Sequence, residues 1–122
     1  MNVLLGIGGS DDSLRALERT IDRAKAAGDR LTIAVLENPE SDRDPEEIAA
    51  EVDEELRRAD FAAEVRRLSG DPGSQLVEVA EREGFDQIVL GGGQRSPMGK
   101  IKLGHIAEFV LLNSHVTVTL VR

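Results

Sequence analysis

Cysteine, tryptophan and tyrosine are absent from this 122-residue chain, and phenylalanine occurs three times. Without thiols there is neither a disulfide nor a thiolate metal site, and the only imidazoles are His105 and His115, which leaves no ligand set for structural zinc or an iron–sulfur cluster. No apolar run approaches the roughly 20 residues that span a bilayer. Met1-Asn2-Val3-Leu4-Leu5 is too short for a signal-peptide core before the glycines begin. The expectation is a cytoplasmic protein with no membrane partner. Lysine is scarce too: Lys25, Lys100 and Lys102 stand beside twelve arginines and 23 acids. Such a carboxylate-rich surface resembles that of proteins from salt-loving microbes, where salt screens the self-repulsion.

At this length the chain can bury one core and is too short for two, so one domain is expected over 1–122. The net charge of −8 is unevenly placed. Residues 37–60 hold eleven acids against Arg43, Arg57 and Arg58, whereas 91–122 carry Arg95, Lys100, Lys102 and Arg122 against Glu108 alone. An anion would therefore bind toward the carboxyl-terminal third. Nucleic acid is excluded as a partner, because an acidic chain with no coherent basic face cannot neutralise a phosphate backbone.

Val3–Ile7 is an apolar run ending in Gly8-Gly9-Ser10-Asp11-Asp12, after which Leu14, Leu17, Ile21 and Ala24 recur at helical spacing until Gly28. Ser10 or Asp11 can cap that helix. Leu31–Leu36 reads as a second buried strand, followed by a polar loop and a helix with Ile48, Val52 and Leu56 on one side. The acidic run is thus mostly a solvated helix face. Phe61–Leu68 fits a third strand, with Arg66 and Arg67 marking an edge, and turn formers at 69–74 lead into a helix carrying Leu76, Val77, Val79 and Ala80. Asp86–Leu90 is a fourth strand, Ile106–Leu112 lies in an apolar helix, and Val116–Val121 is a fifth strand. This β-α-β-α-β-α-β-α-β alternation predicts an α/β fold: a single doubly wound five-stranded parallel sheet, strand order 3-2-1-4-5, with helices on both faces. Ligands of such sheets lie beyond the carboxyl ends of the strands where the order reverses, between the first strand and the fourth. Both glycine loops of the chain fall there.

The loop after the first strand opens a helix with Asp11 and Asp12, which repel an anion. Its glycines and the apolar approach of Ile7, Gly8 and Val35, with Ser10, suit a base or ribose edge. The second loop runs from Gly91, Gly92 and Gly93 to Gly104 and carries Arg95, Lys100 and Lys102 with no acid before His105. Glycine backbone, cations and a following helix N-terminus make a phosphate cradle. It is neither a Gly-x-Gly-x-x-Gly turn nor a Walker loop, and on spacing alone it reads equally as a flexible turn.

The order of these pieces resembles the universal stress protein family along essentially the whole chain: Val3 to Ser10 with Ser13-Leu14-Arg15-Ala16-Leu17, Gly70-Asp71-Pro72, Ala80 through Gly91, Gly91 to Gly104, and Val116 to Arg122. The resemblance implies a stress-related regulatory or interaction module, binding ATP or AMP in one branch of the family, with Mg2+ if the ligand is ATP. Together with the reading of the two loops above, it puts the expected nucleotide contacts at Ile7, Gly8, Ser10, Val35, Gly91, Gly92, Gly93, Arg95, Lys100, Gly104 and His105. The binding branch has Gly, two residues, Gly, nine residues, Gly, then Ser or Thr; here Gln94 stands at the second glycine, His105 at the hydroxyl residue, and Gly8 where an aspartate is usual. The alternative is a family member without nucleotide, serving as a dimeric interaction module. No catalytic base is visible, and at most slow ATP hydrolysis is expected. Strand 115–122 alternates valine and leucine with threonine and is followed by no covering helix, so a homodimer through that edge is expected, as the resemblance also implies.

Overall fold

The computed structural model describes residues 1–39, 41–92, 94–95, 101–102 and 104–121, for residues 11, 94–95 and 101–102 as backbone alone. The elements are β1 (Asn2–Ile7), α1 (Asp11–Ala27), β2 (Arg30–Leu36), α2 (Pro45–Ala59), β3 (Glu64–Leu68), α3 (Pro72–Arg82), β4 (Gln87–Gly91), β5 (Gln94–Arg95), β6 (Ile101–Lys102), α4 (His105–Asn113) and β7 (Thr117–Val121). Five strands form one parallel sheet in the order β3-β2-β1-β4-β7, the 3-2-1-4-5 arrangement expected from the alternation. Absent from that expectation is a small antiparallel pair inside the second glycine loop, where Gln94 faces Lys102 and Arg95 faces Ile101.

Strand periodicity divides the core in two. Val3, Leu5, Ile7, Ile33, Val35 and Val89 point to one side of the sheet and pack with Leu17 and Ile21 of α1 and Ile48 and Val52 of α2. Leu4, Ala34, Leu36, Ile88 and Leu90 point to the other and pack with Leu76 and Val79 of α3 and Val110 of α4. Neighbouring residues of one strand thus serve opposite layers, as the two-residue repeat requires.

Helix starts are set by side-chain caps. Ser10 accepts from the Ser13 amide at 3.1 Å, Asp44 from the Glu46 amide at 3.0 Å, and Asp71 from the Ser74 amide at 3.0 Å. α4 differs: its N-cap is Gly104, with no side-chain cap. The third strand begins later than its sequence pattern suggests. α2 ends with Asp60 in the left-handed region (φ 50°) and the Phe61 amide donates back to the Leu56 carbonyl at 3.1 Å, so residues 61–63 are used in leaving the helix.

The two sheet edges are unlike. On β3 the Arg66 guanidinium donates to Glu64 (Nε to Oε1, 2.9 Å) and to Glu83 of the α3 cap (Nη2 to Oε1, 2.7 Å), with Arg67 beside it. On β7 the outward edge presents Thr117 to Val121 with no charged side chain and no strand partner among the described residues.

Candidate functional site

The carboxyl ends of β1, β2 and β4 open into a cavity of about 1040 Å³, closed by the first turns of α1, α3 and α4 and by the loop after β2. Both glycine loops reach it: Gly8, Gly9 and Ser10 from one, Gly91, Gly92, Gly104 and His105 from the other. Gly9 turns the chain from β1 into α1 at φ 85°, which a residue with a Cβ resists.

Gly91 has a different duty from the one its place in a glycine loop suggests. A Cβ there would lie 2.4 Å from the Asp12 carbonyl oxygen and 2.7 Å from the Ser13 Cα, so β4 ends in backbone contact with the first turn of α1. The Gly92 amide is also committed, donating to the Val121 carbonyl at 3.1 Å. Gly91 and Gly92 therefore supply closeness and space rather than donors. The donors come from α4, whose first amides have no intrahelical partner and no side-chain cap, and whose residues 104–107 line the cavity. A Cβ on Gly104 would meet nothing within 4 Å.

Of the remaining expected site residues, Ser10 lines the cavity but accepts from the Ser13 amide, and the Ser13 hydroxyl donates to the Ser10 carbonyl at 2.7 Å, so both serve as caps. Ile7 and Val35 are not at the cavity. Both are fully buried in the layer against α1 and α2, because strand parity turns them away from it; Gly6, Leu36 and Leu90 line it in their stead. Gly93, the Arg95 side chain and Lys100 lie outside the described residues. On either side of that stretch, Gly92 and Gly104 line the cavity.

Several lining residues escaped the sequence reading. Asn38, just past β2, donates from Nδ2 to the Gly8 carbonyl at 3.1 Å and so ties the first glycine loop to the second strand. Arg43 reaches the cavity from within the acidic run and pairs with Glu51. It is one of three cations among the eleven acids of 37–60, so a count of charge hides it. Asp12, Asp42 and Asp71 also line the cavity. The Asp12 carboxylate lies 3.6 Å from Arg15. The Ser74 hydroxyl, at 2.7 Å, and the Ser74 amide hold the Asp71 carboxyl below its ordinary range. Among the described residues no group of three His, Asp or Glu side chains could hold a metal.

The model of the universal stress protein family matches residues 1–122. The chain belongs to the universal stress protein family. It is 38% identical over 55 residues to a universal stress protein of Methanocaldococcus jannaschii, a match covering 45% of this chain and only 32% of that relative. Among solved structures, a universal stress protein from Archaeoglobus fulgidus superposes with a TM-score of 0.80 at 22% identity, covering 100% of this chain and 98% of that one. A universal stress protein in complex with cAMP superposes with a TM-score of 0.76 at 27% identity, covering 100% and 96%. Other family structures hold dAMP and AMP, at 20% and 15% identity. This family member departs from the binding-branch pattern within the same cavity: Gly8 sits beneath Asn38, whose Nδ2 lies 3.3 Å from where a Cβ of residue 8 would be, and His105 opens α4.

Proposed function

We propose that the cavity takes an adenine nucleotide, ATP or AMP, and that the domain acts as a stress-related regulatory module whose exposed surface changes with occupancy. The observation that carries this reading is the convergence of both glycine loops and the start of α4, which has no side-chain cap, on one cavity of about 1040 Å³; the sequence between Gly91 and His105 adds three cations and no acid. The cAMP complex of a relative 27% identical to this chain supports the ligand class. In this arrangement the amides at the start of α4 meet phosphate, with Arg95 and Lys100 adding charge, and the base and ribose lie toward Gly8, Gly9 and Asn38. Mg2+ accompanies the ligand if it is ATP, since Asp12, Asp42 and Asp71 otherwise face a polyphosphate.

We further propose that the protein works in the cytoplasm as a homodimer paired through residues 115–122. Support comes from the contrast between the charged β3 edge and the uncharged β7 edge.

Melting with ATP, ADP and AMP, with and without Mg2+, in molar salt tests the ligand. A nucleotide at about 100 times its Kd adds roughly 2.7 kcal/mol to stability, well within detection. Gly104→Val should remove the shift while keeping the unliganded melting temperature within about 4 °C of the wild type, because the position of its Cβ is open and only an N-cap preference is lost. His115→Ala should leave the shift intact. The three carboxylates at the cavity favour a second reading, an interaction module without nucleotide, and the absence of any shift at millimolar nucleotide would establish it in place of the first.

A further inference from the structure

A nucleotide with its 5′-phosphate at the start of α4 turns its ribose and base toward the opposite wall of the cavity, beyond β2. β1 pairs with β4 on one side and with β2 on the other, so the two walls stand two strand spacings apart, roughly 10 Å. The β2 wall is wired to the first glycine loop. Asn38 Nδ2 donates to the Gly8 carbonyl at 3.1 Å, the Ser41 amide to the Asn38 carbonyl at 3.1 Å, and the Arg43 amide to the Ser41 hydroxyl oxygen at 3.2 Å. Ser41 Oγ would lie 2.8 Å from a Cβ on Gly9. This chain of bonds sets Arg43 beside the loop that faces the ribose.

Arg43 is the single lysine or arginine among the described residues that line the cavity. Its Nη2 donates to Oε1 of Glu51, which reaches it from α2 and does not itself line the cavity. A guanidinium that closes its fork on a carboxylate engages both oxygens, yet Glu51 Oε2 is buried with no hydrogen-bond partner. Glu51 therefore holds Arg43 at one corner, fixing its place without closing on its fork. The neighbouring acids are engaged elsewhere or wet: Asp12 pairs with Arg15, Asp71 accepts from Ser74, and Asp42 is exposed. A partly buried guanidinium on the ribose wall selects a phosphate carried by the ribose, as an arginine near the ribose accommodates the 2′-phosphate in dinucleotide-binding sheets.

Given the nucleotide reading of this cavity, on which the step rests, we infer that Arg43 reads a phosphate monoester on the 2′ or 3′ oxygen of the ribose. The ligand class is then an adenosine bisphosphate, its 5′-phosphate at the start of α4 and its ribose phosphate on Arg43, with Glu51 as the positioning residue of the guanidinium.

Calorimetric titration of 5′-AMP, adenosine 2′,5′-bisphosphate and adenosine 3′,5′-bisphosphate into the full chain tests it. At least one bisphosphate should bind about tenfold more tightly than 5′-AMP, the gain of one charge-assisted contact, and the tighter of the two shows which ribose oxygen carries the phosphate. Arg43→Gln should bring that ratio near one, Arg43→Lys, which keeps the charge and loses the fork, should keep part of it, and Gly104→Val should weaken all three ligands and preserve it. Because the ratio is read within each variant, a general loss of stability cannot imitate these results. Glu51→Ala should lower the ratio and Glu51→Gln, which keeps an acceptor oxygen for Arg43, should retain it; a ratio unmoved by Glu51→Ala would remove Glu51 from its role. Binding of 5′-AMP with no preference for either bisphosphate, or a preference that survives Arg43→Gln, would overturn the assignment to Arg43 and leave the nucleotide site standing. Failure of all three ligands to bind would overturn both.

Discussion

Replacing Gly91 by alanine separates the two duties a glycine in such a loop can have. The added methyl would sit 2.4 Å from the Asp12 carbonyl oxygen, 2.5 Å from the Asp12 carbonyl carbon and 2.7 Å from the Ser13 Cα, all of them backbone atoms. No rotamer change relieves such contacts. β4 must part from α1, or the first turn of α1, capped by Ser10, must shift. Overpacking against a fixed neighbour costs 1–3 kcal/mol and occasionally more, and the upper value, about 3 kcal/mol, applies where every clashing atom is main chain. Unfolding entropy of about 2.1 cal/mol/K per residue over 122 residues is about 0.26 kcal/mol/K, so each kcal/mol moves Tm by about 4 °C. Gly91→Ala should therefore melt about 12 °C below the wild type in differential scanning calorimetry. Gly104→Ala is the control: nothing lies within 4 Å of its Cβ and φ is −73°. Alanine's poorer N-cap preference there roughly offsets the reduced freedom of the unfolded chain, leaving Tm within about 4 °C. If Gly91→Ala melts with the wild type, or Gly104→Ala falls as far, the packing argument is wrong. The same numbers show that loss of nucleotide binding in a Gly91 variant would report on folding, whereas loss in a Gly104 variant reports on the site.

Other consequences can be measured directly. Ser10→Ala removes the cap of α1 and should cost about 1 kcal/mol, read as a lower urea midpoint with unchanged slope. The carboxyls of Asp71, Glu81 and Glu83 are held below their ordinary range by Ser74, His115 and Arg66 respectively. A depressed folded pKa contributes stability above the unfolded value and loses it as pH falls through the folded one, so urea midpoints should decline on acidification below the ordinary carboxylate range. Asp71→Asn should flatten that decline; an unchanged slope would show that Ser74 does not hold the charge. If the proposed pairing through β7 holds, the wild type elutes as a dimer in size-exclusion chromatography and Thr117→Lys, on the exposed edge of β7, as a monomer, while a charge change at Arg67 leaves the dimer intact.

Much of the fold was legible because each strand and helix carries its own period. The run Leu31–Leu36 and the series Ile48, Val52, Leu56 needed no partner to be read. The pair β5–β6 was not legible, since two residues per strand are too few for a repeat to show. The site was legible as a place and less so as a list. Alternation says that Ile7 and Gly8 lie on opposite sides of a strand but not which side opens to the cavity; that is set by where α3 and α4 pack. Ile7 and Val35, expected at the ligand, therefore lie in the layer against α1 and α2, and Leu36 lines the cavity. Gly91 looked like a ligand contact because a glycine signals close approach without naming what approaches. Here one close neighbour is the chain itself.

The unlike edges of the sheet bear on how far self-assembly can proceed. A strand edge is a valence: each open edge can take up one neighbour, and a sheet with two open edges can add copies without limit. Arg66, clamped by Glu64 and Glu83, cancels that valence on β3, while β7 keeps its own. Under the proposed pairing, a molecule with one such valence joins one copy of itself and then has none left, so pairing through β7 would terminate growth as it forms, and a lesion at Arg66 is the change that would turn a pair into a filament.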